Sequence, residues 1–255
     1  MALHTARKAR QGTFLRGLAE LAVILGLVVV SKTVLAQPFY VTSGSMEPTL
    51  QIGDELLATK YAYGYSRYSL PFGIGPSSQE RLFGKLPDYG DVVLFHLPRD
   101  PSMVYVKRAV GLPGDRIQMR RGRLWINGTM LPLRAAGSDQ VEDEDGRLRT
   151  APRFIETLPN GREHPIFKQV RDANLDDTSE YVVPPAHVFM LGDNRDDSLD
   201  SRVPAAEGGV GFVPVENLVG RASIVLGSWD FPIMRRPVWT WPSGLRWSRF
   251  FSRIS

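Results

Sequence analysis

Met103-Val104-Tyr105-Val106-Lys107-Arg108-Ala109-Val110 is the stretch whose reading settles the architecture. Its β-branched and aromatic side chains predict a strand rather than a helix. One lysine, Lys107, stands inside it. Strand alternation puts Lys107 on the face of Tyr105 and Ala109 and turns Arg108 the opposite way. Burial disfavours the charged form of an amine, so a lysine in this setting is a candidate base. The competing reading is a strand lysine whose amine snorkels to water.

Similar short runs lie on both sides: Asp91 to Leu97, Arg123 to Ile126, His187 to Leu191 and Leu218 to Leu226. Turn signals such as Leu112-Pro113-Gly114-Asp115, Ile126-Asn127-Gly128 and Pro159-Asn160-Gly161 separate them. Convincing amphipathic helices are scarce, so the body over residues 37–228 is expected to be mainly β, a sandwich or barrel. Residues 130–177 are more polar and read as an inserted subdomain or a long loop. Their acidic stretch Glu142-Asp143-Glu144-Asp145 is taken as a solvated face. Tyr61 to Tyr89, rich in Tyr, Gly, Pro and Ser, reads as a surface excursion.

Residues 1–16 carry Arg7, Lys8, Arg10 and Arg16 with no acid. Gly17 to Ala36 then forms an apolar stretch of twenty residues. As a helix at ~1.5 Å per residue it would cross the ~30 Å of a bilayer core, with Glu20 and Lys32 near its ends. A transmembrane anchor with a cytoplasmic N-terminus is the expectation, since positive charge stays inside. A cleavable signal peptide and a buried core helix are the alternatives.

The chain has 255 residues, a net charge of +4 and no cysteine. Disulfides, thiol catalysis and cysteine zinc sites are thereby excluded. The tail 229–255 interleaves five arginines with Trp239, Trp241, Trp247, Phe250 and Phe251. With +4 at one end and +5 at the other, the middle carries −5. Charge confined to aromatic-rich ends points to a membrane surface and lipid partners rather than nucleic acid. Packing of the tail against the β body is the plainer alternative.

Two further stretches bear on chemistry. Ser43-Gly44-Ser45-Met46-Glu47-Pro48-Thr49-Leu50 places two hydroxyls two residues apart around a glycine that permits a turn. Gly192-Asp193-Asn194-Arg195-Asp196-Asp197-Ser198-Leu199-Asp200-Ser201-Arg202 is a tight polar loop. A calcium loop is excluded, because Arg195 falls where a ligand belongs and the glycine and terminal Glu are misplaced. None of the four histidines has a recognisable triad companion, and no Gly-x-Ser-x-Gly elbow occurs. A serine activated by an amine is therefore the favoured chemistry. The Ser43 hydroxyl and the Ser45 N–H could hold an oxyanion.

These three stretches, with Gly90 to Phe95 and Gly111 to Asp115, resemble the signature segments of bacterial type I signal peptidases. The resemblance runs from about Phe39 to Val225. It implies a signal-peptidase-like β catalytic domain with an inserted β subdomain; the one N-terminal transmembrane helix is expected from residues 17–36, whereas some members of that family have two spans. It further implies Ser45 as nucleophile, Lys107 as general base and Ser43 as the side-chain part of the oxyanion hole. Ser198 would hydrogen-bond and orient Lys107, while Asp200 and Arg202 support the loop. Phe39, Val41, Met46, Leu50, Tyr105 and Val106 would form pockets for small residues at −1 and −3 of the cleavage site. The implied activity is removal of signal peptides from exported preproteins at the outer face of the bacterial cytoplasmic membrane. No metal, nucleotide or other cofactor is implied, and the translocation machinery is a further partner. Other Ser–Lys peptidases, such as self-cleaving SOS repressors, and a silent membrane-tethered β scaffold are the alternatives.

Overall fold

The computed structural model describes residues 16–26, 35–69, 81–142, 148–169, 173–230, 233 and 237–254. In chain order the strands are β1 (Ala36–Tyr40), β2 (Asp54–Thr59), β3 (Val92–Leu97), β4 (Asp100–Gly111), β5 (Arg116–Arg120), β6 (Arg123–Ile126) and β7 (Thr129–Met130). They continue with β8 (Leu133–Glu142), β9 (Leu148–Thr157), β10 (Glu163–Phe167), β11 (Tyr181–Val182), β12 (His187–Leu191), β13 (Val213–Pro214) and β14 (Leu218–Ser228). The protein is mainly β, as its short apolar runs require.

A seven-stranded sheet runs β1-β2-β14-β3-β4-β12-β13, with antiparallel neighbours. Strand β3 lies inside it and reads as a continuous apolar run because both its faces are covered. Val92 and Leu94 join a core with Met46, Leu50, Leu56 and Val225. Val93, Phe95 and Leu97 join another with Ala109, Met190 and Val213. A four-stranded sheet, β11-β5-β6-β7, buries Ile117, Met119 and Leu124 against Val110 and Phe189. The third sheet is β10-β9-β8, built on two ten-residue strands.

That third sheet is stitched to the 192–202 loop. Phe167, the last residue of β10, donates its N–H to Asp193 O at 2.9 Å and accepts from Arg195 N at 3.0 Å. The acidic residues 143–145 lie outside the described residues. Much of the Tyr61 to Tyr89 excursion is tied down rather than loose. Tyr63 is buried and donates its hydroxyl to Asp91, while Arg81 donates to the carbonyls of Tyr63, Gly64, Val215, Glu216 and Leu218. A guanidinium with five donors can satisfy loop carbonyls that lack a ladder, which turn composition does not reveal.

The expected helix over 17–36 needs correction. An α-helix, α1, covers residues 16–26, residues 27–34 lie outside the described residues, and Ala36 already pairs with Thr59 as the first residue of β1. The end of the apolar stretch is thus taken up by the sheet. Among the described residues no helix is long and apolar enough to cross a membrane.

The tail packs against the body and also keeps an aromatic face. Arg249 binds Asp54 through two nitrogens at 2.9 and 2.5 Å, and Arg246 donates to Ile52 O at 2.8 Å. These two arginines serve the protein rather than headgroups. Trp239, Trp247 and Phe251 remain exposed.

Candidate active site

Ser45 sits in a single 3-10 turn, Gly44–Met46, that follows an extended Ser43. Met46 and Leu50 are fully buried and pin the turn into the core. The backbone is held from the other side by the 192–202 loop. Asn194 N donates to Ser45 O at 3.1 Å, and its side-chain amide donates to Gly44 O at 3.2 Å. Gly192 permits this approach, because a Cβ there would lie 2.5 Å from Ser45 O and 2.1 Å from Ser198 Oγ.

Strand β4 delivers Lys107, 3% exposed, to the same point. Its Nζ lies 2.5 Å from Ser45 Oγ and 5.7 Å from the centre of the Tyr105 ring. Burial pushes the amine down to about 8, against the opposing pull of Asp200 and Asp193. Ser43 Oγ stands 3.3 Å from Ser45 Oγ. The serine is therefore in direct contact with an amine that loses its proton easily.

The loop is held by paired charges. Arg202 forks onto Asp200 through Nε and a terminal nitrogen, both at 2.8 Å, and Gly192 N donates to the same carboxylate at 3.1 Å. Ser198 departs from expectation. Its hydroxyl is buried and has no hydrogen-bond partner among the described residues, so the bond to Lys107 is not made. It is turned instead toward the Gly192 backbone.

A cleft of about 920 Å³ opens beside the serine, lined by Val41, Ser43, Tyr105, Val106 and Lys107 among others. Met46 and Leu50, expected in its pockets, do not line it. They are fully buried core, and Phe39 packs against that core from its edge. Apolar residues beside a nucleophile look alike in sequence whether they meet substrate or hold the turn. Glu47 does line the cleft, and its carboxyl is raised to about 7 by burial and then by Asp197.

Sequence reasoning missed a buried ionic network behind the loop. Arg108 forks onto Asp193 at 2.8 Å through two nitrogens, and Thr49 donates to the same carboxylate at 2.5 Å. Arg195 pairs with Glu156 of β9, and His164 lies between the two carboxylates. The turned-away Arg108 was the available signal. Its partner lies 85 residues distant.

A sequence model described as "Signal peptidase, peptidase S26" matches residues 15–229. A signal peptidase I of Rickettsia typhi is 36% identical over 252 residues, covering 92% of each chain. One from Rickettsia akari is 37% identical over 211 residues, covering 80% of this chain and 76% of the relative. A crystal structure of a signal peptidase I from Enterococcus faecalis is 25% identical and covers 55% of this chain and 98% of that one. The TM-score between the two is 0.31. The match over residues 15–229 and the identity across nearly the whole of both chains make this protein a member of the signal peptidase family of serine peptidases, S26.

Proposed function

We propose that this chain is a membrane-bound endopeptidase that removes N-terminal signal peptides from exported preproteins with a Ser45–Lys107 dyad. The observation that carries the reading is the 2.5 Å contact between a buried amine and the Ser45 hydroxyl. Neutral Lys107 takes the hydroxyl proton while Ser45 Oγ attacks the carbonyl carbon of the scissile bond. The Ser45 N–H and the Ser43 hydroxyl hold the oxyanion. Lys107 then gives its proton to the departing amine, leaving the signal peptide as an ester on Ser45. Water, deprotonated by the same amine, hydrolyses that ester and frees both hydroxyl and peptide. Asp200 and Arg202 hold the loop that clamps the serine turn.

Val41, Tyr105 and Val106 line the cleft and favour small residues at −1 and −3. Membrane attachment comes from the apolar segment that begins at Gly17 and ends before β1, with its basic flank in the cytoplasm. The catalytic body then faces outward at the bacterial cytoplasmic membrane, near lipids and the translocation machinery.

The test is processing of a preprotein with an Ala-x-Ala junction, with the cut mapped by mass spectrometry. Ser45→Ala and Lys107→Ala are each expected to lower kcat by at least ~10³-fold while leaving the fold intact. Wild-type-like cleavage by either variant rejects the dyad. The rate is expected to rise with pH through about 8 as Lys107 loses its proton. A flat profile across that range rejects the amine as base.

A further inference from the structure

The segment that carries Ser45 is anchored a few residues further on. Leu50 is fully buried and donates its N–H to Met46 O at 2.9 Å. Just before it stands Thr49, which does not line the catalytic cleft. Its Oγ1 donates to Asp193 at 2.5 Å and accepts from a terminal nitrogen of Arg108 at 3.2 Å. Its carbonyl accepts from Arg249 of the tail at 3.0 Å. A hydroxyl has one hydrogen to give. Here it goes to a carboxylate whose side chain is 1% exposed, where a charge-assisted bond is strong.

Both partners of that hydroxyl sit one residue from the chemistry. Arg108 follows Lys107 in β4, and Asp193 precedes Asn194. Asn194 grips the serine turn, donating from its backbone to Ser45 O and from its side chain to Gly44 O. Arg108 is itself fixed, since it forks onto Asp193 and gives a further bond to Gly90 O at 2.7 Å. The contacts therefore close a ring. It runs from Ser45 to Thr49 along the chain, across to Arg108, back one residue to Lys107, and from Nζ to Ser45 Oγ. Asp193 and Asn194 brace the ring from the loop side. Nucleophile and base lie 62 residues apart in sequence, so their separation in space has to be set by such bonds. A misplacement of ~1 Å between reacting groups can cost on the order of 100-fold in rate.

We propose that Thr49 is a positioning residue for the Ser45–Lys107 pair, its hydroxyl tying the nucleophile segment to the base-bearing strand through Arg108 and to the 192–202 loop through Asp193. This role rests on the dyad reading and adds to it the residue that sets the distance between the two groups. Thr49 acts through Ser45 and Lys107 and meets no reacting atom itself. Thr49→Val removes the hydroxyl and keeps the shape. The fork between Arg108 and Asp193 stays in place, so no buried charge loses its ion partner and the fold is preserved. What is lost is the tie between segment, strand and loop.

The test is steady-state preprotein cleavage by the full chain in detergent, with kcat and KM measured from pH 6 to 9 for wild type, Thr49→Val and Thr49→Ser. Thr49→Val is expected to lower kcat on the order of 30-fold with KM unchanged. Its rate still rises through about 8, because Lys107 keeps its burial. Thr49→Ser recovers most of the loss, since the hydroxyl returns without the methyl. Wild-type kcat in Thr49→Val overturns the proposal. So does a Thr49→Ser variant as slow as Thr49→Val, which would place the effect in methyl packing. A loss that comes wholly from a displaced pH midpoint overturns it too, by moving the effect to the Lys107 proton. If Thr49→Val does not fold, Thr49→Ala carries the same expectations. Failure of the dyad reading is distinct: Lys107→Ala or Ser45→Ala then cleaves as well as wild type.

Discussion

Lys107 is held in the interior, where carrying a proton is unfavourable, and this has a consequence for stability as well as for rate. Its folded value of about 8 lies below the ordinary 10.5. Between those two values the unfolded chain binds the proton and the native chain does not. Stability therefore rises with pH across that window, and the contribution is lost as pH falls through about 8. The shift is equivalent to about 3 kcal/mol. Lys107→Met is accordingly expected to be inactive yet more stable at pH 7, by up to ~3 kcal/mol in urea denaturation. A midpoint at or below wild type would contradict that account. At this scale Ser45 and Lys107 were legible, because an odd residue within an apolar run and a glycine between hydroxyls are local signals. The Ser198 hydroxyl was not, since its direction depends on packing against Gly192.

The elements that carry the dyad are a strand, a short turn and a loop, and their mutual approach is as important as their contents. Gly192 is where the loop meets the turn. Gly192→Ala would put a methyl 2.5 Å from Ser45 O, which must move. The expected result is a loss in kcat of about 100-fold with KM little changed and circular dichroism preserved. Retention of full kcat would show that the turn tolerates displacement. Strand β4 was readable from composition, and its alternation sent Arg108 away from Lys107. The β8–β9 hairpin was less so. Its residues are polar and half exposed, and a solvent-facing strand pair offers little hydrophobic pattern to read.

Over the whole molecule, long-range charge pairs decide what composition leaves open. Arg108 finds Asp193, Arg195 finds Glu156 and Arg249 finds Asp54, across separations that no local pattern encodes. The tail shows the effect most clearly, since its arginines read as headgroup ligands until Asp54 is seen beneath Arg249. Arg249→Ala leaves the fully buried Asp54 without its cation. It is expected to cost about 2 kcal/mol, measured as a lower thermal midpoint, and to hasten proteolysis after Trp229. An unchanged midpoint would mean that the aromatic contacts hold the tail unaided. The backbone bonds from Phe167 to both sides of Asn194 reach furthest. They make the small sheet a brace for the serine turn, although no residue of it need touch the scissile bond. A trimmed enzyme with β8 to β10 excised would therefore fall silent rather than merely become shorter.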